Sequence, residues 1–451
     1  KCRIPDTDDV MCPSFQVLRE ETHTTRGRAR LLFEMLEGDI ITDGWRSSEV
    51  EEALDLCLSC KGCTNDCPVN VDMPTYKAEF LHHHWKGRLR PRQAYAMGLI
   101  DKTAAVASLA PGLANLVGQT PGLSNALKAL GGVAQERRVP VFAPITLRRW
   151  FAGRGERNVD GPRVLLWPDT FTDNFHTDVG VAAVEALEAG GFHVVMPGRR
   201  LCCGRPLYDY GFLTLARRYL RRVLGGIRDE IRRGTPVVGM EPSCLATFRD
   251  ELPKLLPHDD DAKRLAEQSV HFGEFLRRAG VELPPLHRKV VLWGHCHHKA
   301  TGGIEADQAL LRSMGAEVEI AAGGCCGLAG SWGFEAGHHE LSLKIGEEGL
   351  LPAVRKAEAD AVIVADGFSC RTQLEQSGVD RRALHLAQVL KMARERGAGG
   401  APGPYPERAY AGLRPAPGGS RTRRRLGTAG ALSAVGLAAA GLGLRRAARR
   451  D

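Results

Sequence analysis

The chain has 451 residues, 43% hydrophobic and 25% charged, the balance of a soluble globular protein long enough for about three domains. Its net charge of +8 lies in the tail, where Glu407 to Asp451 carries ten Arg against two acids, while residues 1–406 hold 51 basic and 51 acidic side chains. That neutral body excludes the footprint of a nucleic-acid-binding protein. The 13 Cys fall in tight groups, none after Cys370, which excludes a secreted disulfide framework and points to a reducing, cytoplasmic setting with thiolates as metal ligands.

The chain opens Lys1-Cys2-Arg3, without Met and inside a cysteine motif, so an upstream region is expected to precede it. Cys12 stands before Pro13. Thr24 or Thr25 can N-cap a helix running from Arg26 to Leu36. Ser48 and Glu51 form a candidate capping box, and Val50, Ala53 and Leu54 have helical spacing. Next comes Cys57-Leu-Ser-Cys60-Lys-Gly-Cys63-Thr-Asn-Asp-Cys67-Pro68. This C-x2-C-x2-C-x3-C-P run is an iron–sulfur spacing, in which three thiolates wrap one cubane and the fourth serves another. Zinc sites instead pair two C-x2-C units across a longer spacer.

Each Cys-Pro ends a ligand run and sends its sulfur to the partner cluster. Cys12, Cys57, Cys60 and Cys63 are therefore expected to hold one [4Fe–4S] cluster. Cys67 and Cys2 would serve a second, with its other ligands upstream; the alternative for Cys2 is a free thiol near a terminus. Arg26, Arg28 and Arg30 either donate toward a cluster or an acidic partner or form a solvated helix face. His82, His83 and His84 are adjacent helical positions that point in different directions, which favours a surface helix over a metal tract. Residues 1–100 thus read as a helical ferredoxin-like domain. Residues 101–160, rich in Ala, Leu and Gly and punctuated by Pro111, Pro121, Pro140 and Pro144, read as a helical connector.

An internal repeat follows. Val164 to Asp169, Cys202-Cys203-Gly204 and Glu241-Pro-Ser-Cys244 in one half answer Val290 to Cys296, Cys325-Cys326-Gly327 and Gly367-Phe-Ser-Cys370 in the other. Asp169 is read as standing where Cys296 has its counterpart. Strands are expected at 164–167, 193–196, 237–240, 290–293, 317–320 and 361–365, with helices such as 179–189 and 212–233 between them. Short apolar runs alternating with helices predict parallel α/β units, residues 161–285 and 286–395, with ligands at the strands' C-terminal ends. Cys296, Cys325, Cys326 and Cys370 supply four thiols in the second half; Cys202, Cys203 and Cys244 supply three in the first. Gly204 and Gly327 allow close backbone approach. His295, His297 and His298 read as orienting or packing groups beside Cys296. The fold class is therefore α + α/β, an all-helical ferredoxin-like domain followed by a duplicated cysteine-rich α/β domain. In the basic tail, residues 396–451, the segment 426–444 has 19 uncharged residues between Arg clusters. It reads either as a membrane-contacting helix, at the inner face of the membrane, or as part of a disordered extension.

Cys2-Arg3, Met11 to Ser14, Thr25 to Ala29, the Cys57 to Pro68 run and the two Cys-Cys-Gly units together resemble the C-terminal iron–sulfur half of FAD-linked D-2-hydroxy-acid dehydrogenases of the D-lactate or glycolate type. The duplicated part is similar to the cysteine-rich domain of heterodisulfide reductase, of glycolate oxidase and of anaerobic glycerol-3-phosphate dehydrogenase iron–sulfur subunits. The resemblance departs at the final C-x2-C of each repeat, where Glu241 and Gly367 replace the first Cys. It implies [4Fe–4S] clusters, an upstream flavin-containing domain or subunit with FAD, oxidation of a 2-hydroxy acid, and a quinone or other electron acceptor. The alternative it leaves is thiol or heterodisulfide reduction at a cluster of the cysteine-rich domain. A zinc-stabilised interaction protein is a third, non-catalytic reading.

Overall fold

The computed structural model describes residues 10–410. Cys2 and the segment 426–444 lie outside the described residues. Every element from Pro13 to Ala152 is helical, and the first strand begins at Arg163. Thr24 caps the helix Thr25–Glu37, its Oγ1 accepting from Gly27 N at 2.8 Å, and Gly38 ends it in the left-handed conformation. The next helix, Ser48–Asp55, is capped one residue earlier than expected. Ser47 Oγ accepts from Val50 N at 3.2 Å, so Ser48 is already helical and the proposed box with Glu51 does not form.

The duplicated region makes two parallel sheets. In the first, β1 (Arg163–Trp167), β2 (His193–Val195), β3 (Val237–Gly239) and β4 (Ser269–His271) run in the order β2-β1-β3-β4. In the second, β5 (Lys289–Trp293), β6 (Glu317–Ile320) and β7 (Val362–Ala365) run β6-β5-β7. An isolated parallel bridge from Val364 to Leu384 takes the place that β4 has in the first half. The likeness continues past it. His271 opens the helix Phe272–Arg278 through a capping box with Glu274, and His385 opens Leu386–Arg396 through one with Gln388. β4 escapes a reading of hydrophobic runs because Ser-Val-His offers one apolar side chain.

One expectation shifts for a physical reason. The long helix 212–233 divides into Leu213–Gly226 and Arg228–Arg233. Gly225 and Gly226 are poor helix formers, and Gly226 leaves room for Leu201 and Arg199, which an added Cβ would meet at 2.8 and 3.0 Å. β6 is an edge strand with Glu317, Glu319 and Ile320 exposed, so its charges guard an open edge.

The two sheets are not separate bodies. Val164, Leu166 and Val238 share one apolar cluster with Val290, Leu292, Val362 and Val364, through the helices Thr177–Ala189 and Leu386–Arg396. Leu292→Ala, at a buried site of that cluster, is expected to cost about 2–5 kcal/mol. Thermal unfolding followed by circular dichroism should show both halves melting together at a lower temperature. Two resolved transitions would show that the halves unfold independently.

Candidate metal centres

Cys12, Cys57, Cys60 and Cys63 are all buried and line one small hollow, shared with Arg28 and Lys61. The loop closes because Ser59 and Lys61 adopt left-handed backbone (φ 51° and 62°), which swings the sulfurs inward. The Cys12 segment is tied to it by Asp66, whose Oδ2 accepts from Val10 N and Met11 N at 2.9 Å each. Gly62 permits that approach, since a Cβ there would lie 2.7 Å from the Val10 side chain. Of the three arginines, Arg26 and Arg30 are exposed and pair with Glu21 and Glu34. Arg28 alone turns inward, donating to Ala53 O at 2.8 Å and Ser14 Oγ at 2.9 Å. Burial pushes the Cys12 thiol up, and the Arg28 charge pulls it back. Burial, Cys296 and Cys63 push Cys60 well up. Four buried sulfurs converging on one hollow make a soft donor set that fits iron. Cys67 is buried in the same apolar cluster but outside the hollow.

The second set gathers at the C-terminal ends of β5, β6 and β7. Cys296 begins the helix Cys296–Thr301, Cys325 and Cys326 follow β6, and Cys370 lies in Phe368–Gln376. The four sulfurs lie close enough to shift one another, Cys325 and Cys370 up and Cys296 and Cys326 down. Gly327 has φ +86°, and a Cβ there would stand 2.0 Å from Ser342 O, so only glycine fits the turn. His295 and His297 flank Cys296, their Nδ1 atoms 4.0 and 3.8 Å from its sulfur. His298 turns away to stack on His271 at 3.7 Å and approach Asp307 at 3.5 Å. The two sets adjoin, with Cys60 in one apolar cluster with Cys296 and Cys325.

The first half brings Cys202, Cys203 and Cys244 together, with Cys203 Sγ 3.1 Å from Cys244 Sγ. Here the residue correspondence needs correcting by one. Asp169 caps Thr170–Asn174 two residues after β1, as His295 caps Cys296–Thr301 two residues after β5. The counterpart of Cys296 is therefore Thr170, and that of Asp169 is His295. Asp169 Oδ1 accepts from Phe171 N and Thr172 N at 2.9 Å each, and burial followed by the Glu241 charge pushes its pKa up to about 6. Glu241 reaches into the other half, its Oε2 accepting from Phe368 N at 2.8 Å.

A buried ionic node that the spacing of motifs does not reveal joins these parts. Lys61 Nζ lies 3.0 Å from Glu251 and 3.6 Å from Asp72, and also pairs with Asp250. Arg205, next after Cys203-Gly204, pairs with Glu251 at 2.5 Å and donates to Ser59 O at 3.0 Å. The node fastens the first cysteine loop to the Cys-Cys-Gly turn of the first half. His82, His83 and His84 diverge as expected, to Gly211 O, to Glu79 and against Phe80.

Models of two families match this chain, a 4Fe-4S dicluster domain over residues 1–71 and a cysteine-rich domain over 170–249 and 294–375. Lactate utilization protein A of Bacillus velezensis is 30% identical over 242 residues, covering 51% of this chain and 98% of that protein. The chain belongs to the family of iron–sulfur proteins with a 4Fe-4S dicluster domain and cysteine-rich domains that includes lactate utilization protein A. Within that family, D-2-hydroxyglutarate dehydrogenase of Pseudomonas putida is 26% identical over 436 residues, covering 86% of this chain and 42% of that protein. The D-2-hydroxyglutarate dehydrogenase of Escherichia coli K12 is 25% identical over 442 residues, covering 86% and 42%. The chain thus spans less than half the length of the D-2-hydroxyglutarate dehydrogenases it matches. Among the described residues no helix is long and apolar enough to cross a membrane.

The second cysteine set is held to the helical region by His338, whose Nε2 lies 2.8 Å from Asp55 Oδ2. Burial works against the His338 charge, but the Asp55 hydrogen bond and charge outweigh it and raise its pKa above 6.5. The raised folded value means that this contribution is fully present below pH 6.5 and is lost as pH rises through the folded pKa. His338→Gln should therefore lower the melting temperature at pH 6 and leave it nearly unchanged at pH 9. An equal loss at both pH values would remove the ionic pair from the account.

Proposed function

We propose that this chain is the iron–sulfur electron-transfer portion of a flavin-linked dehydrogenase acting on a D-2-hydroxy acid such as 2-hydroxyglutarate, lactate or glycolate. Its ligand sets are Cys12, Cys57, Cys60 and Cys63 for one [4Fe–4S] cluster and Cys296, Cys325, Cys326 and Cys370 for another. Cys67 and Cys2 serve a further cluster of the dicluster domain, and Cys202, Cys203 and Cys244 form a three-thiol site in the first half. Bound clusters supply one-electron transfer at potentials set by ligation, hydrogen bonding and burial. The chain's own residues exclude water from the sulfurs, fix their spacing and balance their charge. FAD belongs to a flavin-containing domain or subunit, and the final acceptor is a quinone or other electron acceptor.

The observation that carries this reading is the contact between the two four-cysteine sets, Cys60 packed in one apolar cluster with Cys296 and Cys325. A continuous, dry junction between two ligand sets is what a relay needs, and a site for thiol reduction would need an open face instead. The greater length of the D-2-hydroxyglutarate dehydrogenases supports a flavin domain beyond this chain.

The test uses the chain together with its flavoprotein. Anaerobic protein should contain iron and acid-labile sulfide, and D-2-hydroxyglutarate, D-lactate or glycolate should reduce its clusters, as read by electron paramagnetic resonance. Cys60→Ser should abolish one cluster signal and stop electrons reaching an added quinone while flavin reduction by substrate persists. Zinc in place of iron, or quinone reduction unaffected by Cys60→Ser, would refute the relay.

A further inference from the structure

Arg137, in the connector after the helix Leu123–Gly131, is fully buried in the second half. Its Nε donates to Gly333 O at 2.7 Å, Nη1 to Gln373 Oε1 at 2.9 Å and Nη2 to Ser342 Oγ at 2.7 Å. All three acceptors are neutral, and among the described residues no carboxylate lies within ion-pair distance of its guanidinium. A buried charge left without a counter-charge is among the costliest groups a protein can contain. Yet Arg137 sits where negative charge gathers. Burial pulls its pKa down to about 10, and the charge of Cys326 is the foremost influence opposing that fall. Its partner Ser342 supplies the carbonyl against which the Cys326-Gly327 turn packs, and Gln373 Nε2 donates to that same carbonyl at 2.9 Å.

A second cation has the same character. Lys299, three residues beyond Cys296, donates to Gly323 O at 2.6 Å and lies over the Trp293 ring at 5.1 Å. No carboxylate among the described residues pairs with it either. Burial lowers its pKa, and the charges of Cys296, Cys370 and Cys325 hold it up. One cation stands near Cys326 and the other near the remaining three thiols.

We propose that Arg137 and Lys299 are the built-in counter-cations of an anionic iron–sulfur centre on Cys296, Cys325, Cys326 and Cys370, and that together they raise its reduction potential; this rests on the assignment of those four cysteines as cluster ligands. Four thiolates give a bound cluster net negative charge, and reduction adds one electron to it. A fixed buried cation stabilises the reduced form more than the oxidised form, so its removal lowers the potential. Both are positioning residues, acting through the field and through the Cys-Cys-Gly turn rather than by ligation.

The experiment is a potentiometric titration of the full-length, iron-loaded chain followed by electron paramagnetic resonance. The second-half signal is identified as the one lost in Cys326→Ser. Arg137→Gln and Lys299→Met should each keep full iron and shift the reduction equilibrium of that signal roughly tenfold toward the oxidised form, about 59 mV for a one-electron couple. Arg137→Lys should restore most of the wild-type potential. If Arg137→Gln fails to fold, Lys299→Met carries the test alone. Potentials unmoved or raised in iron-replete variants would overturn the counter-cation role and leave the ligand assignment standing. A wild-type protein with no iron signal dependent on Cys326 would instead overturn the assignment itself.

Discussion

Eight sulfurs buried in two adjoining sets are the constraint that governs this molecule. Cys12, Cys57, Cys60 and Cys63 are buried together, and Cys296, Cys325, Cys326 and Cys370 are buried beside them. Burial pushes Cys63 up and the neighbouring Cys296 pushes Cys325 up, whereas Cys325 pulls both Cys296 and Cys326 well down, and a positive partner at the centre of each set favours the thiolate form throughout. The surroundings are arranged for that anionic outcome. Arg28 turns in toward Cys12, while Arg137 and Lys299 turn in toward the second set. Arg26 and Arg30, on the same helix as Arg28, are exposed and pair with Glu21 and Glu34 instead.

The fold delivers the sulfurs by two routes. In the helical region, closely spaced left-handed residues bend a short loop around the hollow. In the sheets, parallel strands bring the ligand-bearing segments to one edge, and glycines at 204 and 327 make the turn that follows each pair of adjacent cysteines. The node of Lys61, Arg205 and Glu251 then fixes the loop against the first half. Asp55, His338 and Trp332 fix the same region against the second half, Trp332 Nε1 donating to Asp55 O at 2.9 Å.

Much of this was legible in the sequence, because cysteine spacing and short apolar strands are local signals. The C-x2-C-x2-C run, the doubled Cys-Cys-Gly and six of seven strands lie where their residue patterns put them, and Cys12 joins Cys57, Cys60 and Cys63 as the Cys-Pro logic implied. Tertiary pairings were not legible. Lys61 meets Asp250 across 189 positions and Arg137 meets Gln373 across 236, and no periodicity encodes either. The offset between Asp169 and Cys296 also misled, since matching the two halves by their metal-binding residue types overlooked that Trp167 and Trp293 set the true register, pairing Asp169 with His295.

Gly367 shows how far the two halves have grown apart. An added Cβ at that position would meet the His295 ring at 2.2 Å. The imidazole thus occupies the volume in which any side chain at 367 would have to sit, while its counterpart in the first half, Glu241, carries a full side chain across the seam. A cysteine at this place would require the His295 ring to move aside. Steric exclusion by one imidazole thus sets the twin lobes apart at this position.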